Sequence, residues 1–130
     1  MRDRAKFVFA GVALLLAFAS PAAAASSVFA GLWSSTDYDG SHQTLVVSAG
    51  ESPSVTFQDF YASACADHGD RSTHWVSAGS AMVDGDVLSV HFHRSGCGTF
   101  GIGSYDDEWY YDSGSDTLTD SAGITWYRTP

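Results

Sequence analysis

From Val28 onward, apolar and polar residues alternate with a period of two. In Val87–Arg94, Leu88, Val90 and Phe92 share one face, while Val87, Ser89, His91 and His93 share the other. Successive strand side chains point to opposite sides of a sheet, so this pattern predicts a half-buried strand. The same reading puts Leu45 with Val47, Val55 with Phe57, Ile124 with Trp126, and Trp109 with Tyr111 on inward faces. In the longest segment Ser77, Gly79 and Ala81 share the Trp75 face, a run of small residues that would let another chain segment or a ligand come close.

Strands are expected at Gly31–Tyr38, Gln43–Ser48, Ser54–Phe60, Thr73–Val83, Val87–Arg94, Gly98–Ser104, Glu108–Ser113, Thr117–Asp120 and Ile124–Arg128, the last two being one strand and its lead-in or two. Glycine or Asp-Gly punctuates the chain every eight to twelve residues. Asp84-Gly85 is the clearest hairpin, because it supplies the positive φ angles of a tight turn. No segment reads as a crossover helix. The fold class is therefore all-β: an antiparallel up-and-down meander of about eight strands closing into a small barrel, with a β-sandwich as the alternative. The longest connection, Tyr61–Ser72, is polar and carries Cys65, Asp67, His68, Asp70 and Arg71; connections of that length are often functional.

Residues 1–25 stand apart. Arg2, Arg4 and Lys6 precede the apolar run Phe7–Ala19, and small residues follow Pro21, as in a secretory signal cleaved after Ala24 or Ala25. Residues 26–130 would then form one domain. The chain has 6 basic and 15 acidic residues; the signal takes Arg2, Arg4, Lys6 and Asp3, leaving Arg71, Arg94 and Arg128 against 14 acids, a net charge of −11. Such a surface repels nucleic acid and anionic membranes. In an exported protein, secreted or periplasmic, the only two cysteines, Cys65 and Cys97, predict a disulfide worth roughly 3–4 kcal/mol.

Gly31-Leu32-Trp33 at the start and Trp126-Tyr127-Arg128 at the end of such a meander resemble the calycins: lipocalins, avidins and bacterial protease inhibitors built on the same barrel. The resemblance covers both ends of the mature chain and little of its middle. It implies that Trp33 plugs one end of the barrel and that Arg128 lies across its ring. Two departures limit it. The Thr36-Asp37-Tyr38 triplet sits on the first strand rather than between later ones, and the avidin ligand pattern does not map residue by residue.

Few residues suggest chemistry. His91-x-His93 has the two-ligand spacing of a metal site on a strand, with His42, His68, His74 or an Asp as third ligand. The pair shares the face opposite Leu88, Val90 and Phe92, so solvent exposure is the expectation. Asp37-x-Asp39-Gly40-Ser41 resembles the opening of a calcium loop but has Ser48 where the distal Glu belongs. Asp59 and Asp107 are possible hydrolase carboxylates with no readable spacing between them, and no nucleophile elbow or phosphate loop is present. The expected function is a non-enzymatic, cofactor-free, monomeric binding module. It would hold a small apolar or aromatic ligand at the open end of the barrel, against Trp75, Trp109 and Tyr111, with Tyr61–Ser72 as a lid. The alternative is a protein-binding inhibitor or envelope interaction module with a filled core, reaching its partner through Ser26–Ala30 or a loop.

Overall fold

The computed structural model describes residues 27–63, 65, 74–98 and 100–130. The signal segment lies outside them, as do Asp67, His68, Asp70 and Arg71 of the long connection. Nine strands follow in chain order: β1 (Gly31–Thr36), β2 (His42–Val47), β3 (Ser54–Phe60), β4 (His74–Asp84), β5 (Val87–Cys97), β6 (Phe100–Gly101), β7 (Tyr105–Asp112), β8 (Thr117–Asp120) and β9 (Thr125–Thr129). Every pairing is antiparallel. Eight strands form a continuous ring, closed where β1 meets β9 and β4 meets β5, while β6 pairs only with β5. The ring is an up-and-down barrel, not a sandwich, and closure leaves it no free edge.

Two differences from the sequence expectation have physical causes. β5 continues to Cys97 instead of stopping at Arg94, because its register slips by one between Ala78 and Gly79 of β4. This bulge returns Ser95 and Cys97 to the interior after Phe92 and leaves both His93 and Arg94 exposed. Gly79 permits it: a Cβ there would collide with the His91 carbonyl. The predicted strand Gly98–Ser104 shrinks to β6, since the long β5 already carries the chain past the ring.

The interior is layered along the barrel axis. At the end where the chain enters, Phe29, Trp33, Leu45, Val47, Val55, Ala81, Leu88 and Leu118 are buried. The middle layer is aromatic, with Phe92, Trp109 and Trp126 meeting edge-on and Phe57 against Phe92 and Trp126. These rings fill the bore. Beyond them, towards the β1–β2, β3–β4 and β8–β9 connections, the interior turns polar.

The entry end is sealed. Trp33 is 0% exposed, and its indole N–H donates to the Phe29 carbonyl at 2.8 Å. Arg128 lies directly opposite on β9, with its guanidinium carbon 4.1 Å from the Trp33 ring centroid. The guanidinium donates to the carbonyls of Val28 and Ala30 at 2.7 and 2.9 Å and to both oxygens of Asp116 at 2.9–3.0 Å. It thereby ties the N-terminal segment, the last strand and the β7–β8 turn together. Arg128 holds the Asp116 carboxyl below its ordinary value, and the Tyr111 hydroxyl donates to the same carboxylate at 3.0 Å.

Candidate functional site

The polar layer arises from strand register. Ser35 on β1 faces Gln43 on β2, Gln43 faces Asp59 on β3, and Asp59 faces Trp75 on β4. Ser35, Gln43 and Asp59 each sit two residues from an inward apolar position, Trp33, Leu45 and Phe57, and Trp75 two from buried Ser77, so all four point into the bore. All four are buried. The Ser35 hydroxyl donates to Gln43 Oε1 at 2.9 Å, and Gln43 Nε2 reaches Asp59 Oδ2 at a long 3.4 Å. The Trp75 indole N–H donates to Ser77 Oγ, which meets the Tyr105 hydroxyl, both at 2.9 Å.

These side chains border a cavity of about 290 Å³, lined by Asp37, Asp39, Gln43, Phe57, Asp59, Ala62, Ser63, Trp75 and Tyr105. That is the lower end of the range for small-molecule sites. The Cys65–Cys97 disulfide, with Cα atoms 5.9 Å apart, packs with Ala62 against Trp75 and fixes the start of the long connection at the rim. Asp59 is only 7% exposed, and its Oδ1 has no hydrogen-bond partner. Burial raises the Asp59 carboxyl, outweighing the Ser41 and Gln43 side chains that favour its charged form, and negative Asp37 and Asp39 push the same way. Asp39 is lowered instead, by the Ser41 side chain and by the Ser41 backbone N–H at 2.9 Å. Burial raises the Tyr105 phenol despite its contact with Ser77.

A larger hollow of about 460 Å³ lies beside β4, β5 and β7, around Met82, His91 and Asp106. No buried, unpartnered polar atom belongs to its lining, so the open-end cavity is the stronger candidate.

Trp75, Trp109 and Tyr111 are not brought together. Trp75 borders the open-end cavity. Trp109 is in the aromatic layer, 1% exposed, with no partner for its indole N–H. Tyr111 is edge-on to Phe29 and Trp33 at the sealed end. His91 and His93 are exposed, and His91 Nδ1 pairs with Asp106 at 2.6 Å. His42 and His74 sit on either side of Phe60, stacked on it at 5.9 and 4.6 Å. Among the described residues no three His, Cys, Asp or Glu side chains converge as metal ligands. Asp37–Ser41 is a tight turn in which Asp37 Oδ1 accepts the Tyr38 N–H and the Asp37 carbonyl the Gly40 N–H. Asp107 borders the larger hollow and accepts from Ser121, away from Asp59. Of the predicted lid, Ala62 and Ser63 line the cavity.

Sequence reasoning passed over Ser35, Gln43 and Tyr105, and took Ser77 only as a small residue on the Trp75 face. Their signal was present: Gln43 continues the Leu45–Val47 face, and Asp59 the Val55–Phe57 face. Compared with known proteins, the chain matches no family model, no curated protein and no solved structure.

Proposed function

We propose that the protein is an exported, calycin-like, non-enzymatic binding barrel that holds a small molecule in the cavity at its open end. The observation that carries this reading is the inward row Ser35–Gln43–Asp59–Trp75, in which a buried carboxylate oxygen of Asp59 has no partner beside a partly aromatic cavity. Buried polar groups are normally satisfied, and leaving one unmade costs about 1–3 kcal/mol. A ligand donor would satisfy it. The ligand therefore has an apolar or aromatic body and at least one hydrogen-bond donor, which adds a polar group to the expected small apolar or aromatic ligand. Export agrees with the disulfide, a bond of oxidising compartments.

A protein-binding module reaching out through Ser26–Ala30 draws less support, since Phe29 is buried in the core and Arg128 holds the carbonyls of Val28 and Ala30. The test is a thermal-shift and native mass spectrometry screen of the purified protein across chemical classes. A stabilising one-to-one ligand that Trp75→Phe weakens about tenfold is expected. No hit in any class, or a hit indifferent to Trp75→Phe, overturns the reading.

A further inference from the structure

We propose that the occupant of the open-end cavity is a small primary ammonium carrying an aromatic or compact apolar group, with its N–H donated to Asp59 and its body against Trp75 and Phe57. This rests on the reading of that end as a small-molecule site and names the class of molecule. The lining decides the charge. Its described residues include three carboxylates, Asp37, Asp39 and Asp59, and no basic side chain. Among the described residues an anionic guest would meet like charge without compensation. A neutral guest would leave the Asp59 carboxylate buried and unpaired, which is the costly state.

The aromatic faces decide the rest. Trp75, Phe57 and Tyr105 border the same cavity, and a cation beside such rings is attracted to their negative faces. A metal ion would lack ligands, since no three-ligand metal cluster occurs among the described residues. A quaternary ammonium would satisfy the rings but has no N–H for the unpartnered Asp59 Oδ1. The cavity of about 290 Å³ suits one ring and a short chain better than a lipid tail.

The purified protein is titrated by calorimetry with three probes of one skeleton: 2-phenylethylamine, 2-phenylethanol and 3-phenylpropionate. The amine is expected to bind at least about tenfold more tightly than the alcohol, and the propionate not at all. Asp59→Asn removes the preference for the amine, weakening the amine by a larger factor than the alcohol. Asp37→Asn/Asp39→Asn, which changes only rim residues, weakens the amine by a smaller factor and serves if Asp59→Asn does not fold. Alcohol or propionate binding as tight as amine binding overturns the ammonium class but leaves the small-molecule site standing. So does an amine preference that survives both sets of substitutions. No binding by any of the three overturns the ammonium class, and the broad screen then decides the site by itself.

Discussion

The two ends of this barrel are built on the same strands in the same alternation, yet they use polar groups in opposite ways. At the sealed end Arg128 is surrounded by acceptors: Asp116, Val28 O, Ala30 O and the Trp33 face. Its charge is spent inside the protein, on holding the N-terminal segment over the bore. At the open end Asp59 has a long contact from Gln43, the Ser41 side chain beside it, and an oxygen with no hydrogen-bond partner. Satisfied charge there makes a lid; unsatisfied charge here leaves a demand on something outside the chain. A charged group therefore marks structure or function according to whether the chain itself completes its hydrogen bonds.

Substitutions should separate the ends by both size and sign. Trp33→Ala should have the largest effect, a loss of about 3–5 kcal/mol in urea unfolding, because it empties the plug and strands Arg128. Cys65→Ser/Cys97→Ser should cost about 3–4 kcal/mol by thermal unfolding, and the loss should vanish when wild type and variant are compared in reductant. Arg128→Met keeps much of the volume but loses the cation over the ring and the carbonyl clamp, for roughly 1–2 kcal/mol. It also frees Asp116, whose lowered carboxyl contributes stability above its unfolded pKa that is lost as the pH falls through its folded value. The wild type's advantage over Arg128→Met should therefore shrink in acid.

Asp59→Asn should move the other way. A carboxyl raised by folding contributes stability below its unfolded pKa and loses it as the pH rises through the folded value. Above that window the buried Asp59 charge is a liability. Removing it should raise the melting temperature by roughly 4–8 °C, equivalent to about 1 kcal/mol, and the gain should fade towards acidic pH. The groups facing Asp59 from neighbouring segments are Asp37 and Asp39, which reinforce its shift, and neutral Gln43 and Trp75. A destabilised Asp59→Asn at pH 7 would mean that the open end is satisfied after all, and the contrast between the ends would fail.

Much of the fold was legible because alternation reports which face a residue takes. Leu88–Val90–Phe92 and Trp109–Tyr111 point inward as their spacing requires, Gly85 has the positive φ of a tight turn, and Trp33 meets Arg128 across β1 and β9. Alternation is silent about height along the barrel axis. That is why Trp75, Trp109 and Tyr111 looked like one lining and instead occupy three levels. Height depends on interstrand register, and one bulge at Gly79 is enough to shift it. Asp116 and Asp120 were unreadable for a related reason. Asp116 sits in a turn and Asp120 at the end of β8, where sequence marks solvation, yet Asp116 anchors Arg128 and Asp120 Oδ2 accepts the Trp126 indole N–H at 2.9 Å.

The four indole N–H groups report from three heights, so their NMR resonances during a titration with 2-phenylethylamine test the contrast between the ends most directly. Trp75, at the open end, should shift with ligand concentration, while Trp33, under Arg128 at the sealed end, stays fixed and Trp109 and Trp126 move little. A shift of Trp33 with Trp75 unmoved would contradict the account, placing the guest at the end that the chain has already closed.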